Sequence, residues 1–335
     1  MNSLPKPPIR WIVPVLCWAA LAGSARLGRS ADEGAIRLPT GWERDLQVSP
    51  LYESSPLVSW ATNQEKSEPV LLDEFAANGL YSDDWGFHLL PDSLIYRSYL
   101  AGPKEPRLAT EIVDLRGDST IWDPTLGARI GLFRIGNSDS VRPTGFQVDA
   151  EAAAIARLDL LEQVDVRSCD FRAGLPITWG NERHQWKFGY YHLSSHLVDE
   201  FLVRNRDYPL YFQSRDCLFL VRSFYLTDPL RIYAEAAWAW RAIASEPWEF
   251  QVGVDYAPRE PTGIHGAPFA AINANLRQEL DFSGGRTVQA GWAWRSDVNA
   301  RLLRTGLQYY NGYSPQFAFL PVYEQQVGWG LWYDF

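Results

Sequence analysis

Gln326-Val327-Gly328-Trp329-Gly330-Leu331-Trp332-Tyr333-Asp334-Phe335 closes the 335-residue sequence. Val327, Trp329, Leu331, Tyr333 and Phe335 share one parity, while Gln326, Gly328, Gly330 and Asp334 share the other. Successive side chains of a β-strand leave opposite faces, so this period of two predicts a strand with one apolar, aromatic face and one polar or small face. The same period recurs upstream. Val288, Ala290, Trp292 and Trp294 oppose Gln289, Gly291 and Arg295, and Ile272, Ala274 and Leu276 oppose Asn273, Asn275 and Arg277. Phe250, Val252, Val254 and Tyr256 oppose Glu249, Gln251, Gly253 and Asp255, and Ile232, Ala234, Ala236, Trp238 and Trp240 oppose Arg231, Glu235 and Arg241.

Alternation alone fits a β-sandwich as well as a membrane barrel. Strand length and punctuation separate them. The alternating runs are about 10 to 15 residues, the length of tilted membrane strands rather than of ordinary globular ones. Short turn sequences divide them, such as Thr227-Asp228-Pro229, Ser245-Glu246-Pro247 and Ser283-Gly284-Gly285. About twelve strands are expected, starting near residues 107, 125, 144, 163, 184, 214, 230, 247, 267, 286, 300 and 325. The fold class is therefore all-β: an antiparallel meander closed into a transmembrane β-barrel. The 15 Trp, 16 Tyr and 16 Phe suit the aromatic girdles of such a barrel at the two bilayer interfaces.

Upstream of the strands the chain reads differently. Lys6 and Arg10, the apolar run Trp11 to Gly23, and the small residues Gly23, Ser24 and Ala25 form an export signal over residues 1–25. Residues 26–106 form an irregular periplasmic or plug-like extension broken by Pro39, Pro50, Pro56, Pro69, Pro91, Pro103 and Pro106. Residues 107–335 form the barrel. With an export signal and no apolar run long enough for a membrane helix, the expected location is the outer membrane.

The aromatic-ended strand at Phe335 resembles the terminal strand of bacterial outer-membrane proteins, which implies recognition by the barrel assembly machinery. Lys187-Phe188-Gly189-Tyr190-Tyr191-His192-Leu193-Ser194-Ser195-His196-Leu197-Val198-Asp199-Glu200-Phe201 and Tyr96-Arg97-Ser98-Tyr99-Leu100-Ala101-Gly102-Pro103-Lys104-Glu105-Pro106-Arg107 resemble the bacterial domain of unknown function family 1207. That resemblance covers most of the mature chain. It implies an outer-membrane barrel and supplies no established activity.

One constellation carries chemistry. His192 and Ser194 lie two apart on a strand, so both leave one face, and a neutral imidazole can take the proton of a hydroxyl that attacks an ester. Their parity continues Trp186, Phe188 and Tyr190, the apolar side expected to meet lipid. Counting hairpins back from Phe335 puts them at the outer end of their strand. This His-x-Ser pair is similar to that of outer-membrane phospholipase A, whose downstream Asn orients the His, a role that falls here to Asn205. Lipid A deacylase barrels use an acid instead, which implies Asp199 or Glu200. The Gly that usually follows in the phospholipase pattern is missing, and Ser195-His196 repeats the pair in a shifted register. Against this stands the plain reading, in which a three-residue pattern of low specificity packs the rim of a barrel.

The net charge of −9 and the absence of a Lys/Arg run exclude general nucleic-acid binding. No phosphate loop or zinc spacing occurs, so no cofactor is expected, calcium being implied only if the phospholipase resemblance holds. Charges assigned to the lumen include Arg129, Asp149, Glu151, Arg157, Lys187, Arg222, Arg231, Glu235, Arg241, Glu249, Asp255, Arg295 and Arg304. Cys169 and Cys217, with one strand between them, are about 10 Å apart and therefore free thiols. Ser168-Cys169-Asp170 interrupts the alternation and reads as a bulge. Three readings remain open: a structural or binding barrel, a membrane-embedded acyl hydrolase, and a narrow solute channel. Membrane lipid is the expected partner in each.

Overall fold

A computed structural model describes residues 85–208, 213–320 and 322–335. The export signal and most of the irregular extension lie outside the described residues. Among the described residues thirteen strands form one antiparallel sheet. They are β1 (Gly86–Leu89), β2 (Leu108–Leu115), β3 (Thr120–Gly136), β4 (Gly145–Asp159), β5 (Asp165–Gly180), β6 (His184–Leu197) and β7 (Gln213–Tyr225). They continue as β8 (Leu230–Ile243), β9 (Trp248–Tyr256), β10 (Ala267–Arg277), β11 (Ser283–Arg295), β12 (Leu302–Tyr313) and β13 (Tyr323–Asp334). Among the described residues one six-residue α-helix, α1 (Asp199–Arg204), lies between β6 and β7.

Each strand from β2 to β13 pairs with its neighbour in the chain, and β13 pairs with β2, so the twelve close into a barrel. Closure leaves no unpaired edge, the condition for crossing a bilayer with strands. The extra strand β1 lies upstream of the expected barrel boundary. It pairs with the end of β3, from Gly86 opposite Gly136 to Leu89 opposite Phe133. The expected start of β3 near residue 125 is also early in the structure, at Thr120. Pro124 has no N–H to give a ladder, and the β3–β4 pairing skips Asp123 and Pro124, so the strand runs through the proline rather than starting after it.

The period of two sorts the side chains as the sequence suggests. Val252, Val254, Ile272, Val288, Leu307, Val327 and Trp329 are exposed on the outside, whereas Gln251, Asp255, Asn273, Gln289, Gln308 and Gln326 are buried in the lumen. Two assignments change. Arg222 faces outward, where it stacks over the Trp186 ring at 4.9 Å, and Arg241 is exposed on the outside. On β7 the luminal parity is Arg215, Cys217, Phe219 and Val221, so both faces of that strand are largely apolar and its charges do not reveal its facing. At Arg241 a bulge intervenes: Asp216 pairs with Arg241 and Cys217 with Ala239, leaving Trp240 as the extra residue. The bulge expected at Ser168 to Asp170 centres on Arg167, since Arg157 pairs with Ser168 and Leu158 with Val166. Cys169 and Cys217 are free, on β5 and β7 with β6 between them.

Paired charged side chains occupy the lumen among the described residues. Arg129 pairs with Asp149 at 2.7 Å, Lys187 and Arg172 converge on Glu151 at 2.9 and 3.0 Å, and Arg157 bridges Asp123 and Glu324 at 2.8 Å each. Buried charges persist only when paired, and these partners sit on different strands, so they tie the wall together. The segment after β1 enters this interior. Ile95, Tyr96, Tyr99, Leu100 and Ala101 are buried, and the Tyr99 ring stacks on Tyr233 with centroids 3.9 Å apart. Tyr233 fits because Gly253 lies beneath it: a Cβ there would stand 2.2 Å from the Tyr233 hydroxyl. Tyr99 Oη donates to Glu235 at 2.7 Å, and burial, with that carboxylate beside it, holds the phenol well above its ordinary pKa.

Luminal arginines hold the backbone of the segment. Arg231 donates to the carbonyls of Arg97 and Ser98 at 2.9 and 2.7 Å, and Arg107 and Arg304 donate to that of Leu100 at 2.8 and 3.0 Å. Lys104 reaches Asp170 at 2.5 Å. From the opposite end Phe317, in the β12–β13 connection, joins the same apolar cluster as Tyr96 and Tyr99.

Candidate functional site on the outer face of β6 and β7

β6 and β7 carry the outward polar cluster. On β6 the residues Gln185, Lys187, Tyr191, Leu193 and Ser195 are buried in the lumen. Trp186, Phe188, Tyr190, His192, Ser194 and His196 therefore share the outside. Ser195 confirms the parity from within, since its hydroxyl donates to the luminal carboxylate of Asp170. The expected pair is thus split from its repeat: His192 and Ser194 face outward, Ser195 inward.

His192 pairs across the ladder with Ala173 on β5 and with Asp216 on β7. Ala173 presents only a methyl group to that flank of His192. On the other side Nδ1 lies 2.8 Å from Asp216 Oδ1, and the His192 and Asp216 side chains are 43% and 18% exposed. Tyr190 Oη donates to the same carboxylate oxygen at 2.7 Å. A carboxylate on the lipid side of a barrel is costly unless paired, and Asp216 accepts two hydrogen bonds from β6. The bulge at Trp240 puts Arg241 opposite Asp216 on its other flank. Ser194 pairs with Phe171 and Ser214, and no hydrogen bond joins its hydroxyl to His192 among the described residues.

Helix α1 holds the other expected partners. Asp199 and Glu200 form its first turn, and Asn205 caps its end, with Nδ2 donating to the Phe201 carbonyl at 2.9 Å. The hydrogen-bonded partner of His192 is Asp216, which sequence reasoning missed. The signal was present, because Asp216 has the outward parity of Leu218 and Leu220, where an acid calls for a partner. Among the described residues no group of three His, Cys, Asp or Glu is arranged to hold a metal ion.

β6 begins at the barrel end that carries Phe335 and runs to the far end. His192 and Ser194 sit in its far half, near the β6–β7 connection. The same far end contains a cavity of about 470 Å³ bounded by Arg157, Arg167, Arg204, Phe201 and Phe319. Fold and site together define a closed twelve-stranded barrel of the outer-membrane type, filled within and bearing a Tyr-His-Ser-Asp cluster outside.

Residues 87–335 match the model of DUF1207, described as a protein of unknown function, and the chain belongs to that family. None of the curated proteins matches the sequence. Among solved structures, outer membrane phospholipase A from Escherichia coli is similar at 11% identity and TM-score 0.48, over 72% of this chain and 95% of that one. The calcium-bound dimer of the Salmonella typhi phospholipase is similar at 11% identity and TM-score 0.49, over 72% and 98%. The KdgM porin follows at 10% identity and TM-score 0.38, over 68% and 98%.

Proposed function

We propose that the protein is an exported outer-membrane barrel that works at its lipid face as a serine acyl hydrolase. The observation that carries this reading is the 2.8 Å contact between His192 Nδ1 and Asp216 Oδ1, two residues from Ser194 on the outward side. With Nδ1–H donated to Asp216, Nε2 is left as the acceptor, the tautomer a general base needs. Nε2 takes the proton of Ser194 Oγ as that oxygen attacks the ester carbonyl of a lipid, giving an acyl-enzyme and releasing the alcohol. Water activated by the same imidazole then releases the fatty acid and restores Ser194. Asp216 holds the imidazole, the role expected of Asn205, Asp199 or Glu200. The substrate class is membrane lipid, phospholipid or lipid A, presented to the wall of the barrel.

A second reading has its own support. Tyr190 also donates to Asp216, and Ser194 does not hydrogen bond His192, so the cluster serves equally as a cross-strand clamp in a non-catalytic barrel. Against the solute-channel reading, the segment around Tyr99 and the luminal ion pairs occupy the interior among the described residues. Fatty-acid release from phospholipid and lipid A by refolded protein, with and without calcium, separates the hydrolase from the clamp. Loss of release in Ser194→Ala supports the hydrolase, and no release from a folded wild-type barrel leaves the clamp. The C-terminal strand ending at Phe335 is the element offered to the assembly machinery, and its test is outer-membrane yield after deletion of Phe335.

A further inference from the structure

The barrel end that carries Phe335 concentrates arginine around a cavity of about 50 Å³. Its wall includes Arg97 from the luminal segment, Arg142 between β3 and β4, Arg231 from β8, Arg259 between β9 and β10, and Arg295 from β11. The carboxylates nearby are already engaged. Asp255 pairs with Arg231 at 2.5 Å, and Asp334 is shared by Arg304 and Arg107 at 2.7 and 3.1 Å. Arg142 and Arg259 share the half-exposed Asp228 at 3.2 and 3.1 Å.

Arg97 and Arg295 have no carboxylate within ion-pair distance among the described residues. Both donate to one backbone carbonyl, that of Ala300, at 2.6 and 3.1 Å, and Arg97 also donates to that of Val141 at 2.8 Å. Arg295 Nε is buried without a hydrogen-bond partner. Burial, together with Arg295, Arg231 and Arg142 around it, pushes the Arg97 guanidinium down to about 9. A protein of net charge −9 has thus gathered uncompensated cations in one recess. Buried charge of this kind is costly unless a counter-charge arrives. A neighbouring cavity of about 240 Å³ shares Arg259 and Arg295 in its wall and is lined also by Pro258, Pro261 and His265.

We infer that these adjoining cavities bind a phosphate-class oxyanion. The small cavity takes the tetrahedral head between Arg97, Arg142 and Arg295, and the larger one takes whatever the head is attached to. Guanidinium groups suit this ligand because their fixed, forked donors match phosphate oxygens two at a time. The orphaned Arg295 Nε supplies a donor with no other use. The head could be free phosphate or the phosphate of a lipid headgroup, and the chemistry of recognition is shared. Nothing in this inference depends on the outer-face site.

The test follows thermal unfolding of the full chain, folded in detergent, as inorganic phosphate replaces chloride at constant ionic strength. The wild-type midpoint rises to saturation. In Arg295→Gln the apparent affinity falls about tenfold or more, the loss expected for one charge-assisted hydrogen bond. In chloride alone Arg295→Gln unfolds at or above the wild-type midpoint, because an uncompensated charge has gone. A short-chain phosphatidic acid, titrated in parallel, identifies the source: tighter binding than inorganic phosphate indicates a lipid headgroup, and weaker binding indicates the free ion. Equal behaviour of wild type in phosphate and chloride overturns the proposal. So does an Arg295→Gln barrel already destabilised in chloride, which would make Arg295 a structural bracket for Ala300.

Discussion

Asp216 stands directly across the β6–β7 ladder from His192, and the two side chains meet at 2.8 Å on the outside of the barrel. Carboxylates are scarce on that surface because lipid does not solvate them. Asp216→Asn keeps the shape but favours the wrong imidazole tautomer. Hydrolysis should fall about a hundred- to ten-thousandfold while the folded barrel persists. The check is the ratio of fatty-acid release in the variant and wild type at equal folded protein.

Glu151 is the acceptor for both Lys187 and Arg172 inside the lumen. Glu151→Gln leaves two buried cations without their counter-charge, a change that costs about 3–5 kcal/mol in comparable settings. Urea unfolding of the folded barrel should show a lower midpoint with an unchanged slope. An unchanged midpoint would mean that water reaches this part of the interior.

Tyr99 joins the inserted segment to the wall through Tyr233 and Glu235. Planar-bilayer recordings of the full chain should show no steady conductance. Replacing residues 94–100 with Gly and Ser removes the aromatic anchors and should raise conductance well above the wild-type trace. Steady wild-type conductance would revive the channel reading.

Cys217 is fully buried, beside Tyr191 and Phe219, and Cys169 is only partly covered. In folded protein a membrane-permeant maleimide should label Cys169 and spare Cys217. Both should react after unfolding without reductant, since neither is in a disulfide. Failure of both to react in unfolded, unreduced protein would indicate a bond between them.

The barrel was legible because its signal repeats. Expected and observed strand starts agree closely at His184, Leu230, Trp248 and Ala267, where alternation is clean and a Pro, Asp or Gly turn precedes. It blurred where both faces of a strand are apolar, as around Cys217 to Val221, and parity there misassigned Arg222. The site was half legible. His192 and Ser194 are two apart on one strand, so local spacing finds them, but Asp216 is brought to His192 by register across a 15-residue connection between β6 and β7. Sequence distance could not single it out from Asn205, Asp199 and Glu200. The inserted segment around Tyr99 has no periodicity, because its conformation is set by the luminal arginines that grip its carbonyls.

The most direct test is fatty-acid release from phospholipid vesicles by refolded wild-type protein and by Ser194→Ala. The wild type should release fatty acid steadily and Ser194→Ala should lose at least about a thousandfold, as expected when a nucleophile that acts as part of a unit is removed. Equal rates in the two, or no release by a wild-type barrel shown to be folded, would contradict the hydrolase reading.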